Sequence, residues 1–165
     1  MRESKKDLFS QLFGQYQAMV FQLALGFVKG DRDQADDLSQ EVFIQVWNHL
    51  DGFRKQSSYK TWIYRITVNC CLGYLKKTKR ESFIQKSSEN PIDHIDEAPE
   101  NTQNTLDKLY WAMGQLDDLD RLIVTMLLEE LSYEEISEVL GVSPSNLRVK
   151  IHRVKKKLKK LMNHE

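Results

Sequence analysis

The sequence predicts an all-α protein made of two small helical domains joined by a flexible acidic linker. Apolar residues recur at steps of three and four over nearly all 165 residues, and no segment alternates apolar and polar residues as a strand does. Two of the 3 prolines fall in Ser87–Asn104 together with five acids and only two isoleucines. This segment cannot bury enough apolar surface to order itself, so it separates the helices into two groups.

The predicted domains are residues 1–86 and 106–165, with the linker at 87–105. In the first domain we expect helices over Lys5–Lys29, Ala35–Leu50 and Tyr59–Lys79, with a turn at the sequence GDRDQ between the first two. In the second we expect one helix that ends near Gln115, one over Leu119–Glu130, and two more within Leu131–Lys160. Glycine and proline are too sparse elsewhere to break these periodic segments.

Several functional classes are disfavoured by what the sequence lacks. It has no apolar run of 18 residues, which excludes a membrane span, and its first residues have no apolar core of a secretion signal. The only cysteines, Cys70 and Cys71, are adjacent, so no disulfide framework is expected and a reducing cytoplasm fits. We find no glycine-rich phosphate loop, metal-spaced His/Cys set or nucleophile motif. We therefore expect no enzyme, no catalytic residue, no metal and no cofactor.

Charge is strongly segregated although the formal net charge is zero. Residues 1–86 hold 14 Lys/Arg against 9 Asp/Glu, whereas residues 87–105 hold five acids and no base. Residues 106–147 are acidic, with nine acids against two bases, and residues 148–165 hold eight bases against one acid. A surface that binds a polyanion is a local property, so the neutral total does not argue against a nucleic-acid ligand.

The second predicted helix has a broad apolar face formed by Ala35, Leu38, Val42, Phe43, Val46, Trp47 and Leu50. Its opposite face carries Asp37, Gln40, Glu41, Ile44 and Asn48. An exposed isoleucine among carboxylates and amides suggests a protein partner with basic groups around a small apolar spot. The alternative is an ordinary amphipathic helix with one stray apolar residue, and periodicity alone favours that alternative.

The third predicted helix mixes aromatic and basic residues over Tyr59–Arg80 and ends in Lys76, Lys77, Lys79 and Arg80. Aromatic rings beside cations suit single-stranded nucleic acid, whose bases offer stacking faces. The alternative assigns Trp62 and Ile66, one turn apart, to the core, and treats the basic end as a solvated terminus favoured by the helix dipole. For Trp62 the core is the better interpretation, and for the basic end the two remain open.

The last two helices form a predicted helix-turn-helix unit. Ser132 and Glu135 have the spacing of a capping box, and Gly141 can adopt the left-handed backbone that a tight turn needs. Ser143 is then placed to cap the second helix, with Pro144 at its first position. Any helical hairpin could have this layout, so it does not by itself identify a DNA-binding unit.

The pattern of the last helix is more specific. Leu147, Ile151, Val154, Leu158 and Leu161 form one apolar stripe. Opposite it lie Ser145, Val149, His152, Arg153 and Lys156, with Arg148 on one flank. A valine at the centre of a basic face suits a major groove, where the thymine methyl group is apolar while guanine and phosphate accept arginine and lysine. The alternative is a solvated basic terminal helix.

Taken together, these segments resemble the bacterial RNA polymerase sigma factors of the extracytoplasmic-function group. The sequence ADDLSQEVFIQVW is similar to the family's segment that binds core polymerase, and YKTWIYRITVNCCLGYLKKTKR is similar to its −10 recognition helix. The sequence LSYEEISEVLGVSPSNLRVKIHRVKKKL is similar to its −35-binding helix-turn-helix. The three lie in the family's order over nearly the whole chain, with a linker and no middle domain.

The resemblance implies a role for each matching residue. Asp37, Gln40 and Glu41, beside Ile44, would contact the clamp helices of the largest polymerase subunit, which reverses the preference for an ordinary amphipathic helix. Lys60, Trp62, Arg65 and Asn69, with the basic residues Lys76 and Lys77, would capture the −10 element. Arg148, Val149, His152 and Arg153, flanked by Ser145 and Lys156, would contact the −35 element. The resemblance also implies an anti-sigma factor as a partner, and an acidic connector that lies where nascent RNA will pass.

The sequence departs from the family's pattern in the last helix. Many relatives have a small polar residue at the position of Val149 and arginine at that of Lys150, and Pro-Ser-Asn replaces a commoner Gly-Thr pair. We expect the mode of DNA contact to persist with a different preferred sequence. The rival class is a helix-turn-helix regulator that binds DNA without polymerase, which would not need the acidic-amide face or a separate basic aromatic helix.

Overall fold

The computed structural model describes residues 4–86 and 105–163, with the backbone alone for residues 82–86. Within these ranges the chain is all-α, as predicted. It contains α1 (Lys5–Phe27), α2 (Arg32–His49), α3 (Tyr59–Lys86), α4 (Thr105–Gly114), α5 (Asp118–Leu128), α6 (Tyr133–Leu140) and α7 (Pro144–Asn163), with a 3₁₀ turn over Leu50–Gly52. The predicted linker falls at Ser87–Asn104, outside the described residues, so the domain boundaries stay predictions.

Capping side chains explain where the first helices begin. Helix α2 begins at Arg32 rather than at the predicted Ala35, because the Asp31 carboxylate accepts a hydrogen bond of 3.1 Å from the Gln34 N–H. Helix α3 begins as predicted, after Ser58 Oγ accepts from the Thr61 N–H at 3.1 Å. Helix α1 ends two residues earlier than predicted because the backbone turns left-handed at Lys29 and Gly30.

One apolar cluster binds the first three helices together. Its buried members come from α1, α2, the following turn and α3: Leu12, Val20, Val42, Phe43, Val46, Leu50 and Ile63. The predicted apolar face of α2 is therefore confirmed except at Trp47, which keeps 39% of its surface exposed. The Trp47 ring lies at the edge of the cluster. It packs edge-on against Phe9, with 5.3 Å between the ring centroids, and its centroid is 4.5 Å from the Lys5 ammonium.

A second cluster joins the two halves of the chain, which the sequence did not reveal. Its buried members include Leu23, Phe27, Tyr64 and Val68 from the first half and Leu122, Ile123, Met126, Ile136, Leu147 and Ile151 from the second. The apolar stripe of the last helix packs on α4, α5 and α6 of its own half, and through α5 and α6 it belongs to the same cluster as residues of α1 and α3. The second half is folded onto the first mainly through α5, which packs on α1, and α6, which packs on α3.

Helices α1 and α5 approach closely because α1 has a glycine at the contact. A Cβ atom built on Gly26 would lie 2.5 Å from Thr125 Oγ1 and 2.8 Å from Thr125 Cγ2. Thr125 is buried, and its hydroxyl donates to the Arg121 carbonyl at 2.9 Å, so it has little freedom to withdraw. Any larger residue at position 26 must push the two helices apart.

A buried arginine holds the same seam. The Arg121 guanidinium, on α5, donates to three backbone carbonyls: Phe27 at 2.9 Å, Met113 at 3.1 Å and Leu116 at 3.1 Å. Arg121 is 5% exposed, and Asp118 lies 3.8 Å from it. Burial lowers the pKa of this guanidinium, and the charges of Asp118 and Asp117 oppose that shift. Charged donors to carbonyls are among the stronger hydrogen bonds of proteins, so this cluster fixes the end of α1 against α4 and α5.

We expect Gly26→Ala to lower the free energy of unfolding by about 1–3 kcal/mol, the usual cost of overpacking a close contact. The matched control is Gly14→Ala on the exposed side of the same helix, where a Cβ meets no atom within 4 Å. There alanine removes only the entropic penalty of glycine and should stabilise by about 0.5–1 kcal/mol. Urea unfolding followed by circular dichroism measures both. Equal effects of the two changes would contradict the tight α1–α5 contact.

We expect Arg121→Met to lower the free energy of unfolding by about 3–5 kcal/mol, because three buried carbonyls lose a charged donor at once. Arg148→Met, on an exposed position of α7, is the control and should change it by less than about 0.5 kcal/mol. The same urea titration compares them. A loss for Arg121→Met no larger than that of the control would show that the guanidinium is dispensable.

Candidate nucleic-acid and protein interfaces

The predicted protein-binding face of α2 lies open on the surface. Asp37, Gln40, Glu41 and Ile44 are all exposed, and Ile44 keeps 53% of its surface accessible. Glu41 accepts a hydrogen bond of 2.8 Å from the Gln45 side chain, one turn further on, which holds its carboxylate on the face. The four residues form a continuous acidic-amide surface with one apolar side chain at its end.

A groove of about 800 Å³ runs between α2 and α3. Asp37 and Glu41 line one wall, and Asn69 and Lys77 line the other. The structure therefore brings together residues that the sequence assigned to two different functions. Burial, with a smaller contribution from Glu41, raises the pKa of the Cys70 thiol in this groove to about 11, so the thiol is protonated at neutral pH.

The six candidate residues of α3 fall into three environments. Asn69, Lys76 and Lys77 are exposed along the second half of the helix. Trp62 is half-buried and packs against the cluster of the first three helices, as the core interpretation predicted. Lys60 and Arg65 are partly buried because both contact α6, from the other half of the chain.

The two α6 contacts use different oxygens. The Lys60 ammonium lies 3.0 Å from Glu135 Oε1, and both side chains stay about two-fifths exposed. The Arg65 guanidinium donates twice to the Glu138 carbonyl, at 2.9 and 3.2 Å. That carbonyl lies in the last turn of α6, where helix carbonyls have no partner within the helix. The arginine thus caps α6 and opposes the negative end of its dipole.

Glu135 has a second bond that fixes its position. Its other oxygen accepts from the Ser132 backbone N–H at 2.8 Å, and Ser132 Oγ accepts from the Glu135 N–H at 3.1 Å. This is the capping box predicted from the sequence, and it is confirmed. The Ser132 N–H, followed by the hydrogen bond from Lys60, lowers the pKa of Glu135, so the carboxylate is charged at neutral pH.

An aromatic cluster at the start of α3 was not foreseen. Phe53 stacks on Tyr59 with 4.4 Å between ring centroids, and it lies 4.9 Å from the Trp62 ring. Phe53 comes from the segment after the 3₁₀ turn, where no periodicity marks a residue as part of a helix face. In the sequence, Phe53 could be linked to this cluster only by its closeness to Tyr59 and Trp62, which is a weak signal.

The predicted DNA-binding face of α7 is exposed along its length. Leu147, Ile151 and Val154 of the stripe are buried, whereas Ser145, Arg148, Val149, His152, Arg153 and Lys156 are exposed. Val149 keeps 52% of its surface accessible. Gly141 takes the predicted left-handed conformation with φ of 66°, and Ser143 Oγ accepts from the Asn146 N–H at 3.3 Å at the start of α7.

Two lysines of α7 face the protein instead of this surface. The Lys150 ammonium lies 3.0 Å from Asp120 Oδ1 as an ion pair, without the alignment of a hydrogen bond. Lys155 lies over the Tyr133 ring and donates to its hydroxyl at 3.2 Å. The basic run of the sequence is therefore divided between contacts that hold α7 in place and cations that face solvent.

The described residues contain no group of three or more His, Cys, Asp and Glu side chains placed to hold a metal ion. Over the same residues, no helix is long and apolar enough to cross a membrane. The sites that the structure presents are surfaces of charge, amide and aromatic groups.

Comparison with known families gives two matches. Residues 12–81 match the family described as Sigma-70 region 2, and residues 106–158 match the one described as Sigma-70, region 4. Similar curated proteins include RNA polymerase sigma factor YlaC of Bacillus subtilis, 28% identical over 98% of this chain and 93% of its own length. The ECF RNA polymerase sigma-E factor of Haemophilus influenzae is 29% identical over 94% of this chain and 87% of its own.

Solved structures share the fold. The sigma factor RpoE of Bartonella quintana, solved in complex with the anti-sigma factor NepR, has a TM-score of 0.73 and 22% identity over 94% of this chain and 96% of its own. CnrH, solved with the cytosolic domain of CnrY, has a TM-score of 0.69 and 23% identity over 95% of this chain and 88% of its own. Both likenesses support the all-α assignment.

Proposed function

The chain belongs to the extracytoplasmic-function group of RNA polymerase sigma factors, and on that premise we propose that it binds core RNA polymerase and directs promoter-specific initiation through −10 and −35 elements. One observation carries the proposal. The region 2 and region 4 matches lie in order along the chain, and each contains an exposed candidate surface of the expected chemistry. The protein then acts as an initiation factor without a catalytic site or cofactor, in the cytoplasm where polymerase and DNA are found.

Each surface has one task in this proposal. The α2 face formed by Asp37, Gln40, Glu41 and Ile44 binds the polymerase clamp helices, since carboxylates and amides complement basic groups around an apolar spot. The α3 residues Lys60, Trp62, Arg65, Asn69, Lys76 and Lys77 hold the −10 element. The exposed face of α7 enters the major groove at −35. One structural neighbour, RpoE of Bartonella quintana, was solved with an anti-sigma factor, which supports a partner of that class here.

The groove between α2 and α3 supports a coupled role for the first half. Its acidic wall belongs to the polymerase face, and its opposite wall includes Asn69 and Lys77 of the −10 set. Polymerase and DNA would therefore meet across one groove. Binding of the first can position the second, because both walls are rigid helices that pack on a common core.

Polymerase dependence separates this function from the stand-alone regulator. Core enzyme with the purified chain should produce transcripts from a pool of genomic fragments that neither component transcribes specifically alone. A fragment selected in this way is then footprinted with the chain alone and with holoenzyme. Protection at −10 and −35 that needs core enzyme supports the sigma factor, whereas equal protection by the chain alone supports the regulator.

We expect Asp37→Lys with Glu41→Lys to weaken association with core polymerase about a hundredfold or more, since like charges across an interface cost several kcal/mol. Thermal stability should change little, because both side chains are exposed. The control reverses two exposed acids of the second half, Glu130→Lys with Glu134→Lys, and should bind normally. Co-purification and fluorescence titration with core enzyme measure the effect. Unchanged binding of the first double variant would remove α2 from the interface.

We expect Val149→Ser to change preference at one −35 position, most directly a thymine, because an apolar side chain contacts a base or sugar and not a phosphate. The change should be about 1–3 kcal/mol at that base pair. Lys156→Ala should weaken binding to all sequences alike and lower the salt slope by about one unit, as expected for a phosphate contact. Single-base promoter variants assayed with each mutant holoenzyme distinguish them. A uniform effect of Val149→Ser would mean that α7 is oriented differently on DNA.

A further inference from the structure

An ion pair between α5 and α7 lies next to the proposed −35 surface. Asp120 of α5 is 9% exposed, and its Oδ1 atom lies 3.0 Å from the Lys150 ammonium. Within the described residues, this oxygen is the one buried side-chain atom that makes no hydrogen bond. Lys150 therefore supplies a countercharge to a carboxylate that is largely cut off from water, where an unpaired charge is costly.

Lys150 belongs to α7 but not to the exposed face of that helix. It follows Val149 directly, and successive residues of an α-helix point about 100° apart. Its ammonium turns inward to Asp120 of α5, whereas Val149, His152 and Arg153 remain exposed. The pair thus ties the protein-facing side of α7 to α5 within one residue of the proposed base-reading position.

The ion pair restrains the rotation of α7 about its own axis more closely than the apolar contacts do. Leu147, Ile151 and Val154 are buried, but apolar contacts are non-directional and persist when a helix rolls slightly. A helix is about 10–12 Å across with its side chains, so an atom at its rim moves by about 1 Å for each 10° of rotation. Rotation by about 20° can therefore separate the two charges beyond ion-pair distance. Side chains of a binding site must be held to within about 10–20°, which is the same range.

A second lysine of α7 makes a weaker restraint. Lys155 lies 5.8 Å from the centroid of the Tyr133 ring and donates to its hydroxyl at 3.2 Å. Lys155 is exposed and Tyr133 is half-buried, and contacts of a cation with a ring are weak at such positions. The Asp120–Lys150 pair, with its buried carboxylate, is therefore the stronger of the two polar contacts that hold α7.

We propose that Asp120 and Lys150 are positioning residues for −35 recognition: their ion pair fixes the rotation of α7, and with it the side chains that read bases, without touching DNA. The proposal rests on the proposed function, since it concerns the same −35 surface. Asp120 acts through Lys150, and Lys150 acts through the orientation of Val149 and His152. An acidic side chain thereby contributes to selective binding of a polyanion, an effect opposite to that of its charge.

The Asp120→Asn variant tests the proposal because charge and orientation predict opposite results. If only charge matters, loss of an acid near DNA should tighten binding of holoenzyme to every promoter fragment. Loss of the positioning pair should instead reduce discrimination between the preferred −35 sequence and its single-base variants. A base contact is worth about five- to 150-fold in discrimination, so its partial loss should lower that ratio about three- to tenfold at the most affected base pair. Asp117→Asn is the matched control, since it removes the same charge from an exposed position and should leave the ratio unchanged.

Changes at Lys150 distinguish positioning from a direct contact of this lysine with DNA. Lys150→Met removes the ammonium but keeps most of the aliphatic stem, and it should lower the discrimination ratio as Asp120→Asn does. The slope of log affinity against log salt should change little. Loss of a phosphate contact would instead lower that slope by about one unit and weaken binding to all promoters alike. Lys150→Arg keeps the charge and should retain the ratio of the parent.

The measurements use the full-length chain assembled with core polymerase, and urea unfolding establishes that each variant is folded at the assay temperature. An unchanged ratio or uniformly tighter binding for Asp120→Asn would overturn the proposal. Uniform weakening with a lower salt slope for Lys150→Met would overturn it as well. If the Asp120→Asn chain does not fold, the comparison of Lys150→Met with Lys150→Arg decides.

The parent chain separates this proposal from the proposed function. If the parent does not join core polymerase, or if its holoenzyme does not discriminate among −35 variants, the proposed function is wrong and the positioning role falls with it. If the parent holoenzyme discriminates and the Asp120→Asn and Lys150→Met variants discriminate equally well, the proposed function stands and the positioning role is wrong.

Discussion

The arrangement of the whole chain depends on the buried guanidinium of Arg121. It joins the end of α1, the end of α4 and the turn before α5 by donating to one backbone carbonyl from each. An uncompensated charge in that position would be costly, and so would three buried carbonyls without donors. The same group therefore requires the two halves to meet, at the seam where the absence of a side chain at Gly26 lets α1 approach Thr125 of α5.

The position of α6 on α3 follows from this seam. Helix α5 is fixed against α1, and only the short turn at Glu129–Ser132 separates it from α6, which lies along the first turns of α3. The polar contacts made there are modest, since the Lys60–Glu135 pair is about two-fifths exposed and such pairs contribute little. What keeps α6 in place is the apolar cluster around Tyr64 and Ile136. Lys60 and Arg65 are therefore covered mainly by apolar packing of the neighbouring residues, and their own polar contacts contribute little to holding α6 in place.

Local features were predicted well from the sequence because their causes are local. The capping box at Ser132, the left-handed turn at Gly141 and the buried stripe of Leu147 and Ile151 each arise within a few residues, and all are confirmed. The start of α2 was predicted three residues late, because the apolar pattern begins only at Ala35 whereas the Asp31 cap begins the helix at Arg32. The candidate faces of α2 and α7 are exposed, as the periodicity predicted, whereas Lys60, Trp62 and Arg65 of the α3 set are partly buried, and the roles of all three surfaces stay predictions.

What could not be predicted has its cause far along the chain. In the sequence Arg121 was only one of two bases among the nine acids of residues 106–147, and its partner Phe27 lies 94 residues away. Periodicity identifies a face that must be buried, but it does not identify the helix that buries it. The apolar stripe of α7 was therefore explained by its own half alone, whereas the structure adds Leu23 and Tyr64 from the other half to the same cluster.

The glycine of α1 has a consequence for how such sequences can diverge. Position 26 has no room for a side chain while threonine stands at position 125, so the two sites cannot change independently. A relative with alanine at position 26 must carry a smaller residue at position 125 or lose the close packing of α1 on α5. Correlated substitution at positions 26 and 125 would therefore identify relatives in which the two halves still pack together. Independent variation at both positions would identify relatives in which α1 and α5 are no longer in contact.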